Sequence, residues 1–151
     1  MFKGQAKIFV KRQCLRLKAI DCDGFCANMY DFSKQVRQIE SDNNPEAAAK
    51  TTSAKGVYQF TDASVQTAKN RMYNMGFDKE DIRDIDNNPC NWNDEQADCM
   101  FLANIFAQRG SDKILRKVGY GDIEARKQAY YKFHHTDPDK ATIKRVDKII
   151  V

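Results

Sequence analysis

Residues 38–60 read QIESDNNPEAAAKTTSAKGVYQF, and this run decides the fold. Upstream of it, Phe32, Val36 and Ile39 are spaced i, i+4 and i+7, which puts them on one face of a helix running into Glu40. Asp42-Asn43-Asn44-Pro45 is dense turn chemistry, so the helix is predicted to stop near Ser41. A glutamate at such a junction is half shielded by a core and half open to a polar turn. Partial desolvation favours the neutral acid, which predicts a raised pKa and a group suited to general acid catalysis. A helix-end glutamate taken alone is ordinarily a surface charge, because glutamate is rarely buried. Its neighbours therefore matter more than its position.

Outward from this run the pattern is helical. Thr61 is placed to cap a helix whose Val65, Ala68, Met72 and Met75 form an apolar stripe before Gly76. Asn93 with Gln96 three residues on is a capping-box signature, followed by Met100, Phe101, Leu102, Ile105 and Phe106, with Gly110 as terminator. Ser111 opens a short segment carrying Ile114, Leu115 and Val118, and Asp122 is placed to cap a helix holding Ile123, Tyr130 and Phe133. Asp137-Pro138 is predicted to start a last helix with Ile143, Val146 and Ile150 as its buried stripe. Extended chain is hinted at in residues 7–20, which fit neither period cleanly, and in Gly56-Val57-Tyr58-Gln59-Phe60. The expected fold is mainly α, with a small extended or β-like segment near residues 56–60.

A chain of 151 residues, 42% hydrophobic and 30% charged, supports one core rather than two ordinary domains. No apolar run approaches the length of a membrane span, and KIFV at 7–10 is followed at once by Lys11 and Arg12, so no signal-peptide core is expected. Lys3, Lys7, Lys11, Arg12, Arg16 and Lys18 all precede the first acidic residue, Asp21. They read as a basic extension over residues 1–30 ahead of a helical domain over 31–151, either simply solvated or docking on an anionic or protein partner. The five cysteines, Cys14, Cys22, Cys26, Cys90 and Cys99, contain no C-x-x-C pair. They are expected to begin reduced, with Cys90 to Cys99 a pairing open to them outside the cytosol.

The run around Glu40 resembles the lytic transglycosylase and goose-type lysozyme group. There a catalytic Glu-Ser is followed by Asn-Pro-x-Ala and then by Ala-x-Gly-x-x-Gln-hydrophobic. The matching residues are Glu40-Ser41, Asn44-Pro45-x-Ala47 and Ala54-Lys55-Gly56-Val57-Tyr58-Gln59-Phe60. WNDEQADCMFLANIF at 92–106 is similar to a later helix of the group, and Ala129-Tyr130-Tyr131 stands where the group has Ala-Tyr-Asn, with the asparagine missing. The resemblance spans roughly residues 30–137 and is nearest to bacteriophage-encoded branches.

The resemblance implies a lysozyme-like helical domain that cleaves the MurNAc-GlcNAc β-1,4 bond of peptidoglycan, with Glu40 as the single general acid/base and 1,6-anhydromuramoyl products. Ser41, Gly56, Tyr58, Gln59 and Phe60, with Tyr130, Tyr131 and His134, become candidate substrate-binding residues. Gly56 would let backbone approach a sugar, Tyr58 would offer a stacking face and Gln59 an amide. Of Tyr130, Tyr131 and His134, one is expected to face Glu40. His134 and His135 are adjacent, so on a helix they point about 100° apart and cannot act as an i, i+4 metal pair. No metal or organic cofactor is expected. The implied partners are glycan strands and, through the basic arm, other virion or tail proteins, with no specific nucleic acid and no membrane span. The implied setting is synthesis in the cytoplasm, carriage in a phage particle and action at the cell wall. Two alternatives remain open: a lysozyme-type hydrolase using a second carboxylate such as Asp42 or Glu46, and a non-enzymatic structural part of a virion.

Overall fold

The chain is mainly helical, and most of its helices begin on the side-chain caps that its sequence offers. A computed structural model describes residues 1–151. Helix α1 covers Gly4–Arg16 and α2 covers Cys22–Ser41, where the Asp21 side chain accepts from the Gly24 amide. Helix α2 ends because Asp42 and Asn43 turn left-handed, at φ 54° and 60°. Helix α3, Asp62–Asn74, begins on a reciprocal Thr61–Ser64 box, and α4, Lys79–Arg83, begins on Asp78. A 3-10 turn at Pro89–Asn91 leads into α5, Asp94–Phe106, which starts on the Asn93–Gln96 box. Helices α6, Ser111–Gly119, and α7, Ile123–Ala129, follow, with Asp122 capping the latter. Helix α7 runs on into a wide π-helical turn at Tyr130–His134, and α8 spans Lys140–Ile149.

Every residue of α5 from Ala97 to Phe106 is buried, so α5 is the central helix, with α1, α3 and α6 packed on it. Helix α2 lays Phe25, Met29, Phe32, Val36 and Ile39 on the same core and meets α1, α6 and α8. Its crossing with α6 is close: a Cβ on Gly119 would lie 2.1 Å from the Phe25 ring. No helix is long and apolar enough to cross a membrane.

Three expectations change. Residues 7–20 are not extended, because Phe2, Ala6, Phe9, Val10, Gln13 and Cys14 form a helical stripe buried against α2 and α5. Ile8, Leu15 and Ile20, which blurred that period, are exposed. The basic extension is accordingly not an appendage. A boundary at residue 30 falls inside α2, and the first helix belongs to the same 35-residue core, with its lysines and arginines on the outside. The last helix starts two residues later than Asp137-Pro138 indicates: Asp139 accepts from the Thr142 amide, and Ile143 is exposed where a buried stripe was expected. The small β-like segment near 56–60 is present as a tight turn closed by antiparallel backbone pairing between Lys55 and Phe60, with a second bridge from Ala48 to Lys55.

The cysteines also differ from expectation. Cys14 and Cys22 form a disulfide that ties the end of α1 to the start of α2, whereas Cys90 and Cys99 are free. Cys99 is buried, and burial pushes its thiol up to about 12. The bridge closes a loop with a sequence separation of 8. Chain-entropy arguments give such a loop about 2–3 kcal/mol of stabilisation through the unfolded state. Thermal melts with and without a thiol reductant are expected to show that loss, and coincident melts would mean that the bridge restricts nothing.

Candidate active site

Glu40 sits in the last turn of α2, one residue before the helix ends. The carbonyls there are held from outside by α8: Arg145 Nε donates to the Ile39 carbonyl at 3.0 Å, and its Nη2 donates to the Gln38 carbonyl and, at 2.8 Å, to Asp42 Oδ1. A cation at a helix C-terminus also complements the helix dipole. On the other side Ser41 Oγ donates to the Val57 carbonyl at 2.8 Å, joining the helix end to the 55–60 turn. The Glu40 backbone is thus fixed by two independent elements.

The Glu40 side chain is 7% exposed, and its Oε1 is the meeting point of two donors. Tyr130 Oη donates to it, and His135 Nδ1 lies 3.1 Å away. Tyr130 Oη and His135 Nδ1 are themselves 3.0 Å apart, so the three groups form a closed triangle. Glu40 Oε2 makes no hydrogen bond to the protein, which leaves it as the oxygen available to a substrate. The π turn creates this grouping. The His135 amide bonds the Tyr130 carbonyl at 2.9 Å, and the wider winding brings residues five apart onto one side, which a helix of 3.6 residues per turn does not do.

The protonation of the pair reverses one expectation. Burial does push the Glu40 carboxyl up, but the hydrogen bond from His135, the nearby His134, the Tyr130 hydroxyl and the charge of His135 outweigh it and hold the group below the usual carboxylate range. His135 moves the opposite way: its bond to Glu40 raises it above the ordinary imidazole value despite partial burial. Glu40 is therefore held as a carboxylate, not the neutral acid that shielding alone predicts, and it in turn favours the charged form of His135. Tyr130 is raised by burial and by the adjacent carboxylate, so it remains a hydroxyl donor.

The other expected site residues are placed differently. His134 does not face Glu40 with a hydrogen bond. Its ring packs among Tyr58, Phe60 and Phe101, its Nε2 lies 2.9 Å from the Tyr58 carbonyl, and burial lowers its pKa, so it is a neutral donor. Tyr131 is partly buried beside the Tyr130 ring. Tyr58 is no stacking platform, being 1% exposed, stacked on Phe101 at 4.4 Å and donating from Oη to Asp98 Oδ1 at 2.7 Å. Gly56 offers no open approach: at φ 80° it packs on the 3-10 turn, and a Cβ there would be 2.9 Å from Pro89 Cβ. Gln59 spends its amide on the Ala47 and Gly56 carbonyls, Phe60 is buried against Trp92, and Ser41 serves the helix end. These residues build and brace the site; only Glu40 and Tyr130 of the expected set meet in it.

Three residues outside the expected set complete it: His135, Arg145 and Arg37. Arg37, one turn before Glu40, donates to Asp98 Oδ1 at 2.6 Å, to Tyr58 Oη at 3.2 Å and to Asp94 Oδ1 at 3.0 Å. Two cavities, of about 820 and 850 Å³, open elsewhere, one beside Gln13, Arg16 and Arg109, the other along Lys34, Arg37, Asn43 and Asp94. Glu40 lines neither, so its partners and not cavity volume single it out. No group of three or more His, Cys, Asp or Glu side chains is arranged to hold a metal ion. No protein-family model, curated protein or solved structure matches this chain.

Proposed function

We propose that this chain is a peptidoglycan lytic transglycosylase with a lysozyme-like helical domain, in which Glu40 is the general acid and then the general base. The observation that carries the proposal is the shielded Glu40 carboxylate, with Oε1 held by Tyr130 and His135 and Oε2 left without a partner. The Glu-Ser, Asn-Pro-x-Ala and Ala-x-Gly-x-x-Gln spacing around it supports the substrate class. A one-carboxylate mechanism suits the surroundings. Asp42 is occupied by Gln38 and Arg145, and Glu46 is exposed on the following loop.

Glu40 Oε2 would protonate the glycosidic oxygen as the bond to C1 of the muramic acid breaks, leaving an oxocarbenium-like centre. The ionised carboxylate then takes the proton of the C6 hydroxyl while that oxygen closes onto C1. Tyr130, donating to Oε1, stabilises the ionised state that the second half needs. The product is a 1,6-anhydromuramoyl end, and water is neither added nor consumed. In the same proposal the natural setting is a phage particle or a lysis event at the cell wall, with the exposed basic face of α1 available to other virion proteins.

Incubation with purified sacculi is expected to release soluble muropeptides that are one water lighter than hydrolysis products. Products of hydrolytic mass would reassign the chain as a lysozyme-type hydrolase, and intact sacculi would overturn the proposal.

A further inference from the structure

Beyond Tyr130, the Glu40 carboxylate has one further side-chain partner, and that partner is titratable. His135 Nδ1 reaches Oε1 from the end of the π turn, while His134, its neighbour in sequence, points into the aromatic core and bonds a backbone carbonyl. We propose that Glu40 and His135 hold one proton between them as a unit, with His135 the positioning residue that keeps Glu40 supplied with it. This rests on the transglycosylase reading above.

The geometry suits a shared proton. With the proton on the imidazole, the pair is carboxylate and imidazolium; when His135 releases its Nε2 proton to solvent and Glu40 Oε2 takes one up, the imidazole is neutral and still offers Nδ1–H to Oε1. Both arrangements keep the 3.1 Å contact and the Tyr130 hydrogen bond, so conversion between them demands no movement of the backbone. His135 is 33% exposed at its side chain, so it exchanges protons with solvent, whereas Glu40 is 7% exposed. Other charged or titratable groups around His135 are Tyr130 and His134 on its own segment, Asp139 at the start of α8, and Arg145 of α8 on the carbonyl of Ile39. Asp139 and a backbone hydrogen bond at Asp137 also favour the imidazolium, and the charge of His135 in turn lowers His134.

Across a turnover the proton count closes. The Oε2 proton goes to the glycosidic oxygen, which keeps the electron pair of its broken bond to C1. The C6 hydroxyl oxygen bonds to C1 and its proton returns to Oε2, after which the pair again holds one proton. Because coupled groups titrate as a pair, the population with the proton on Glu40 stays a fixed fraction of the singly protonated unit between its two titrations. The cleavage rate should therefore be flat with pH across that interval. A lone Glu40 behaves differently: above its own titration the protonated fraction falls roughly tenfold per pH unit.

His135→Gln retains an N–H to offer Glu40 but cannot carry the proton, so it separates the two cases. On purified sacculi the natural chain is expected to keep a constant kcat over the neutral range, while His135→Gln loses roughly tenfold per pH unit with its KM unmoved. Equal pH profiles for the two would overturn the proposal, and His135→Asn repeats the comparison if the first variant is unstable. A second readout does not depend on cleavage. The chain has only 2 histidines, so their imidazole NMR signals can be followed individually. His135 is expected to titrate above the ordinary imidazole range and to move down towards it in Glu40→Gln, while His134 titrates below that range. A His135 titration unchanged by Glu40→Gln, in a chain that cleaves sacculi, would overturn the pairing alone. A coupled pair in a chain that leaves sacculi intact would overturn the transglycosylase reading and the catalytic use of the pair with it.

Discussion

Asp98→Ala is expected to cost about 3–5 kcal/mol of folding stability, the largest stability effect we expect from a single substitution near the site. Asp98 is buried in α5 and accepts from both Arg37 Nη2 and Tyr58 Oη through one oxygen. Removing it deprives the Arg37 guanidinium, whose side chain is only 10% exposed, of its one buried carboxylate, and leaves the buried Tyr58 hydroxyl without its acceptor. Arg37 would keep Asp94, but that carboxylate is 89% exposed and an exposed partner contributes about 1 kcal/mol or less. Asp94→Ala is therefore the matched control and should be nearly silent. Urea unfolding of the two variants beside the natural chain measures the difference, and similar midpoints for Asp98→Ala and the natural chain would show that the Arg37 charge does not depend on Asp98. The cost falls on the site as well as on the fold. Arg37 lies on the turn of α2 before Glu40, and the Tyr58 carbonyl anchors His134 at the end of the π turn.

Glu40→Gln is expected to lower the rate of muropeptide release by a factor on the order of 10²–10⁴, the usual worth of a positioned general acid/base. Glutamine keeps the shape of the side chain and an oxygen for Tyr130, but it neither gives nor takes the proton. The ion pair with His135 is lost too. Because His135 is one-third exposed, the fold should survive that loss with little change in unfolding midpoint. A variant that is well folded and inactive assigns the effect to chemistry. A variant that is unfolded would need Glu40→Asp beside it, which keeps the charge and shortens the reach to substrate.

Much of the fold was legible because caps and turns are local. Thr61, Asn93 and Asp122 act as caps where the sequence marks them, and the Asp42-Asn43 turn ends α2 beside Glu40. Helix α1 was hidden because its outer face carries Ile8 and Leu15 and its inner face carries Gln13, so the apolar residues do not trace one stripe. The Cys14–Cys22 bridge joins two helices across a turn, and nothing in residue spacing selects it. Within the site, Glu40 was legible from its motif, and Tyr130 only as one of three neighbours with Tyr131 and His134. Gly56, Tyr58, Gln59 and Phe60 were not, because a tyrosine or glutamine reads equally well as a contact to ligand or to protein until its partners are known; here these are Asp98 for Tyr58 and two carbonyls for Gln59. His135 was missed for a geometric reason: the π turn adds a residue to the winding, and regular helical spacing puts Tyr130 and His135 on different faces.

The central claim is that Glu40 transfers the proton in a peptidoglycan cleavage that adds no water. It is tested most directly by mass analysis of the muropeptides released from one batch of purified sacculi by the natural chain and by Glu40→Gln in parallel. The natural chain is expected to yield 1,6-anhydromuramoyl products, and the variant to yield none above background over the same time. Equal release by the folded variant, or no release by the natural chain, would contradict it.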